Sequence, residues 1–328
     1  IYPQIKNDAK SNAFNLVSKA EIRRNTMSLH LWTLLSSFLL LHPFLPTLAL
    51  TMSTNNLPRR ILVTGANTGI GLALTKQLVK DHGCHVYLGS RSVERGQKAV
   101  EEVKREAGDS VELLNVDVSN PASIESAASS LSQTLGSSKL YAIVNNAGTG
   151  FSHGSPPHEI IDTNTRGPRR VVDAFLPLLH PQGRIVNVGS GAGPMFFDML
   201  DSSQEKKKYV NAMDEQEIET EIARIEKMRD AFAAYAGSKA LLACYTMDLA
   251  RMFPDLTVSI ISPGYIKTAM TAGMGATKLP HEGTVSITKC LFEELPASGY
   301  FWGSDGLRSP LHFLRNPGEP EFDGVVNL

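Results

Sequence analysis

Short apolar runs alternate along the chain with longer stretches in which apolar residues recur every three or four positions. From about residue 58 onward this predicts strands and helices in strict succession. Ile61-Leu62-Val63, His85–Gly89, Val111–Val116, Leu140–Val144, Gly183–Val188 and Leu256–Ile261 read as strands, and Tyr300-Phe301-Trp302 offers a last one. Between them Leu72, Leu74, Leu78 and Val79 fall at helical spacing, as do Ala99, Val100 and Val103 after a capping Ser92. Asn120-Pro121 opens a further helix carrying Ile124, Ala127, Leu131 and Leu135, and Pro168 begins one with Val171, Val172 and Phe175. Alternation of this kind predicts one α/β domain, a doubly wound parallel sheet with helices on both faces, over about 58–312. A tail, 313–328, carries Pro317 and Pro320 and is given no role.

Residues 1–57 do not join this pattern. Arg23 and Arg24 precede the apolar run Leu31–Leu41, which Pro43 and Pro46 then interrupt, and Thr47-Leu48-Ala49 offers small residues for cleavage. One reading is a targeting segment over 27–50, with entry into an organelle or the secretory route. The other is upstream translation, with the chain starting at Met52 and remaining cytoplasmic. Under either reading the leader is not part of the fold.

Composition narrows the partners rather than the fold. The net charge is −1 with both signs well mixed, so nothing favours nucleic acid or, for the folded domain, a membrane. The three cysteines, Cys84, Cys244 and Cys290, lie far apart and show neither paired nor metal-ligand spacing. They read as buried reduced thiols.

The candidate chemistry starts at the end of the first strand. Gly65, Gly69 and Gly71, with Asn67, Thr68 and Ile70 between them, make a strand–turn–helix junction whose backbone N–H groups can face an anion at a helix N-terminus. The spacing is G-x-x-x-G-x-G. The second strand ends at Ser90-Arg91, where an acidic residue would select NAD by bonding the ribose 2′-hydroxyl. A guanidinium there grips a 2′-phosphate, so NADP is expected.

Together with Asp117 and Asn145-Asn146-Ala147-Gly148, these motifs resemble the classical branch of the short-chain dehydrogenase/reductase family, over about residues 58–305. The resemblance implies a Rossmann-type fold and NADP(H). Gly65 to Gly71 would cradle the pyrophosphate, Asp117 and Val118 would flank the adenine, and Asn146 to Gly148 would stabilise the sheet beside the cofactor. Pro263, Gly264, Ile266 and Thr268 would lie near the nicotinamide. It further implies a catalytic set of Asn164, Ser190, Tyr235 and Lys239. Tyr235 and Lys239 stand one turn apart on a helix, so phenol and ammonium can share a pocket. A free phenol has a pKa of about 10, and lowering it by about three units takes roughly 4 kcal/mol, which adjacent positive charge can supply. The family's reaction is hydride transfer to a carbonyl carbon, with Tyr235 as general acid, Ser190 polarising the oxygen, Lys239 holding the nicotinamide ribose and Asn164 positioning a relay water. The Y-x-x-x-K pattern is not specific by itself, since Tyr2 and Lys6 also satisfy it.

Two departures stand out. Ser190 and Tyr235 are separated by an insertion at about 196–228, which resembles that of the monomeric carbonyl reductases. It holds the charged run Glu205–Lys208 and a helix from Asp214, with Glu217 three residues on and Ile218, Ile222 and Ile225 on one stripe. A monomer is expected if that helix covers the surface other members use to assemble; a solvated amphipathic helix is the plainer reading. The span from Gly148 to Asn164 is short and shows little helical pattern, which loosens the placement of Asn164. Residues 269–283, with Met270, Gly273, Met274, Gly275 and Gly283, read as a substrate lid. The function expected is NADPH-dependent reduction of a small carbonyl compound (ketone, aldehyde or quinone). A non-catalytic NADP sensor or interaction protein, and an alcohol dehydrogenase running in the oxidising direction, are the alternatives.

Overall fold

The structure, a computed structural model, describes residues 57–152 and 154–326. The leader readings, including Tyr2, Lys6 and Met52, lie outside the described residues apart from Leu57.

Seven parallel strands form one sheet in the order β3-β2-β1-β4-β5-β6-β7. They are β1 (Arg60–Val63), β2 (His85–Ser90), β3 (Val111–Asn115), β4 (Leu140–Asn145), β5 (Leu179–Val188), β6 (Thr257–Ile261) and β7 (Phe301–Trp302). Helices α1 (Gly69–Lys80), α2 (Val93–Glu106) and α3 (Pro121–Leu135) follow the first three strands. Then come α4 (Pro157–Ile161), a π-helical turn (Asp162–Arg166) and α5 (Gly167–Phe175). Beyond β5 lie α6 (Ala192–Phe196), α7 (Ser203–Lys208), α8 (Glu215–Lys227) and the long α9 (Ala231–Met252); α10 (Val285–Phe292) precedes β7.

Successive side chains of a strand face opposite ways, and the continuous apolar runs accordingly feed two cores. Leu62, Ile143, Ile185 and Val258 face one layer with Leu131, Phe175 and Leu241. Ile61, Val63, Ala142, Val144 and Val186 face the other with Leu74, Leu78 and Ile287. A buried polar string crosses the first layer. Asn145 Nδ2 donates to Asn187 Oδ1 at 2.9 Å, and Asn187 Nδ2 donates to Thr246 Oγ1 at 2.9 Å, which ties α9 to the centre of the sheet. The three cysteines are free and buried, and burial raises each thiol, Cys84 to about 11. Among the described residues no helix is long and apolar enough to cross a membrane.

The structure differs from the sequence expectation mainly around Asn164. The span before it, read as lacking helical pattern, forms α4, and Asn164 follows in a single π-helical turn, a feature that often marks a functional site. Pro157 at the start of α4 and Pro168 at the start of α5 sit where a missing N–H does no harm. β5 begins at Leu179 rather than Gly183, pairing with Leu140 through an irregular register.

The insertion contains α7 and α8, each opened by a reciprocal capping box, Ser202 with Glu205 and Asp214 with Glu217. Ile218, Ile222 and Ile225 are buried as one stripe. Glu221 is buried beside them and accepts from Lys208, Tyr209 and Arg224. Arg166 grips Glu219 with three hydrogen bonds, at 2.7, 3.1 and 3.2 Å, and Arg169 reaches both Glu219 and Glu215. The helix is therefore docked rather than merely solvated.

Candidate active site

The strand order reverses between β1 and β4, and open sheets of this type bind ligands in the crevice beyond that point. The turn after β1 and the segment after β4 form the crevice here, and Thr64 joins them. Its Oγ1 accepts the N–H groups of Asn146 and Ala147, both at 3.1 Å, while Asn146 Nδ2 donates to the carbonyls of Thr64 and Gly65 at 2.9 and 3.1 Å. Glycine is required at two places. Gly65 has φ +63°, and a Cβ there would lie 2.7 Å from Ala147 Cα; a Cβ on Gly71 would lie 2.5 Å from Asn146 Nδ2 and 2.7 Å from the Gly65 carbonyl.

Thr68 precedes α1 without a side-chain cap, and no acidic residue occupies the first turn. The first N–H groups of α1 thus face the crevice, as an anion site needs. A groove of about 360 Å³ runs from there, lined by Gly65, Asn67, Thr68, Gly69, Ile70, Arg91, Asp117, Val118, Asn146, Ala147, Gly148, Tyr235, Lys239, Pro263 and Thr268. No carboxylate ends β2; the Ser90 hydroxyl is turned into its own loop, donating to the Ser92 carbonyl at 2.9 Å. Arg91 and Arg95 both line the groove and are exposed. Arg95 is absent from the sequence reading, although it lies four residues further on, in the first turn of α2. Asp117 Oδ1 accepts from the backbone and hydroxyl of Ser119 at 3.0 and 2.7 Å. These residues fit an NADP-type dinucleotide: a glycine cradle, an uncapped helix N-terminus and two arginines beside a strand end that lacks an acid.

A second cavity, of about 560 Å³, adjoins the groove. Ser190, Gly264 and Ile266 line it, with Phe151, Met195, Phe232, Tyr265, Met270, Met274 and Leu314. Tyr235 lines both spaces, Ser190 only the cavity and Lys239 only the groove. Gly71 and Asn164 line neither. Gly71 is buried in the packing of α1, and Asn164 is fully buried behind the wall, accepting from the Thr149 N–H and donating to the Thr149 carbonyl, both at 2.9 Å.

Helix α9 is held to that wall by Ser238. Its hydroxyl donates to the Tyr235 carbonyl at 2.7 Å and accepts from Asn164 Nδ2 at 3.2 Å. Phe151 packs against the Tyr235 ring with centroids 5.5 Å apart. Lys239 is buried and donates to the Val188 carbonyl at 2.9 Å. Burial brings its ammonium down to about 8. Burial likewise raises the Tyr235 phenol, with a hydrogen bond from Ser190 pulling the other way. The expected lowering of the phenol by the Lys239 ammonium is therefore not what the protein alone displays. Desolvation outweighs the Ser190 hydrogen bond, and the ammonium is engaged by a backbone carbonyl.

The segment read as a lid is a hydrogen-bonded loop. Thr271 Oγ1 donates to the Ile266 carbonyl at 2.6 Å, Lys267 N–H donates to the Lys278 carbonyl at 2.7 Å, and the Tyr265 hydroxyl donates to the Met274 carbonyl. Met270, Thr271, Met274 and Thr277 from it line the cavity. The tail was given no role, yet Leu314, Arg315, Asn316 and Pro317 complete the cavity wall. No sequence motif marks them; Arg315 pairs with Asp305, which sits in the loop after β7.

Comparison with known proteins agrees with this geometry. The short chain dehydrogenase family model matches residues 59–201. The (+)-neomenthol dehydrogenase of Arabidopsis thaliana is 32% identical over 286 residues, covering 74% of this chain and 96% of that protein. The chain belongs to the short-chain dehydrogenase/reductase family. Carbonyl reductase [NADPH] 1 of Mus musculus is likewise 32% identical, over 243 residues, covering 68% of this chain and 86% of that protein. Among solved structures, salutaridine reductase from Papaver somniferum superposes with a TM-score of 0.66 at 27% identity, covering 74% of this chain and 99% of that one. As a short-chain dehydrogenase/reductase of the carbonyl-reductase-like group, the chain is an oxidoreductase built on a dinucleotide-binding sheet.

Proposed function

We propose that this short-chain dehydrogenase/reductase is an NADPH-dependent reductase of an uncharged, largely apolar ketone or aldehyde. The observation that carries the reading is the position of Tyr235, the one member of the Ser190, Tyr235 and Lys239 set that borders both the dinucleotide groove and the apolar cavity. A carbonyl group in the cavity can meet a hydride donor in the groove only at that junction.

When bound, NADPH supplies the hydride to the carbonyl carbon. The carbonyl oxygen takes its proton from the Tyr235 hydroxyl, and the Ser190 hydroxyl orients that oxygen by donating a hydrogen bond. Lys239 holds the nicotinamide ribose, and Arg91 with Arg95 holds the 2′-phosphate. Gly65 to Gly71 and the α1 N-terminus hold the pyrophosphate, Asp117 and Val118 border the adenine, and Pro263 to Thr268 border the nicotinamide. Asn164 acts by fixing Thr149 and Ser238, which hold the wall and α9 in register. A raised phenol keeps its proton at neutral pH, the form a general acid needs for carbonyl reduction. A protein that only sensed NADP would have no use for a general acid at this junction.

The docked insertion supports a monomer. Ile218, Ile222 and Ile225 cover an apolar surface of α9, while Glu215 and Glu219 neutralise Arg169 and Arg166. The full chain, given NADPH and a panel of cyclic and aromatic ketones, is expected to consume the cofactor; consumption of NADH alone, or of neither, would contradict the proposal.

A further inference from the structure

We propose that Leu314 is a specificity-determining residue and that the Arg315–Asp305 pair is the clamp that positions it; this rests on the reading of the apolar cavity as the carbonyl site. Leu314 is 44% exposed, yet it packs beside the reacting groups: a Cβ on Gly191, the neighbour of Ser190, would lie 2.9 Å from Leu314 Cδ1. A side chain both exposed and that close to the serine loop lies across the cavity mouth.

The next residue explains how a loop near the chain terminus keeps that place. The Arg315 side chain is only 3% exposed, and its donors are engaged all round. Nε donates to Ser309 Oγ at 3.0 Å, Nη1 to the carbonyls of Glu319 and Asn316 at 2.8 and 3.4 Å, and Nη2 to Asp305 Oδ1. Asp305 belongs to the loop after β7, whose Gly303 and Ser304 also line the cavity. Gly303 leaves the room required, since a Cβ there would lie 2.6 Å from Arg315 Nη2. The ion pair thus fastens the tail to the sheet end that carries the site. Because its charge is neutralised, Arg315 does not recruit an anionic substrate. Its role is to hold Leu314, and the cavity favours a ketone whose apolar body passes beneath that side chain.

Steady-state kinetics of the full chain with NADPH, on a small monocyclic ketone and a bulky bicyclic one, tests this. Leu314→Ala is expected to raise the ratio of kcat/KM for the bulky over the small ketone by roughly tenfold, and Leu314→Trp to lower it by a similar factor. Arg315→Met and Asp305→Asn are expected to raise KM more than they lower kcat, and the double variant to do little more than either alone. NADPH titration by fluorescence separates a repositioned wall from a lost fold, because the groove lies on the far side of Tyr235. Leu314 variants that turn over both ketones at a ratio within about twofold of the parent would overturn the inference. A parent chain that reduces neither ketone would instead refute the active-site reading beneath it.

Discussion

Asn146 holds Thr64 from two sides: its backbone N–H donates to the Thr64 hydroxyl at 3.1 Å, and its side-chain Nδ2 donates to the Thr64 carbonyl at 2.9 Å. This pair joins the ends of the two strands between which the sheet order reverses, and so shapes the groove. Thr64→Val keeps the side-chain shape but takes the hydroxyl acceptor from the Ala147 N–H and leaves the Asn146 N–H only the Val144 carbonyl. The expected loss is about 1–3 kcal/mol of stability, read by denaturant unfolding, with weakened NADPH binding; Thr64→Ser should restore both.

Because Arg91 and Arg95 both line the groove, cofactor choice in the proposed function falls to the two arginines rather than to Arg91 alone. Arg91→Ala and Arg95→Ala should each reduce the preference for NADPH over NADH, each by about 2 kcal/mol or roughly thirtyfold, and NADH binding should change little. Direct titration of both cofactors against the single and double variants checks this. Equal affinities in the parent chain would remove the basis for the NADP assignment.

The pH dependence follows from burial. The raised Tyr235 phenol stays protonated through neutral pH, so reduction should run on a plateau there. The lowered Lys239 ammonium sheds its charge as pH rises through about 8, so reduction should decline above that point. Oxidation of the product alcohol needs the phenolate and should gain relative to reduction as pH rises. A Lys239→Met variant should lose the limb near 8 and be slower throughout, as a full pH–rate profile would reveal.

The succession of strands and helices and the glycine turn were legible because local pattern determines them, whereas Ser190, Tyr235 and Lys239 stood out as a set only through the resemblance to the family. Ile61, Leu62 and Val63 alternate between two cores, and their continuous apolar character states that directly. Asn164 was legible as a residue but not as a geometry. A π-helical turn leaves no periodic mark, and the side chain works from behind the wall rather than in the groove. Arg95 escaped notice because it is exposed amid other charges on α2. Leu314 and Arg315 were illegible because the partner that places them, Asp305, sits in another loop, and no periodicity links the two.

The insertion offers a test of assembly. The full chain should run as a monomer by light scattering. Glu219→Lys sets a third positive charge against Arg166 and Arg169, and it should lower the melting temperature by several degrees by undocking α8. A stable dimer or tetramer of the parent chain would contradict the monomer reading.

The central claim is that Tyr235 delivers the proton where groove and cavity meet. Its most direct test is single-turnover oxidation of bound NADPH by an apolar ketone, comparing the parent chain with Tyr235→Phe. The account predicts nearly unchanged NADPH affinity in the variant with a rate lowered by about 10²–10⁴-fold. Turnover at the parental rate by Tyr235→Phe would contradict it.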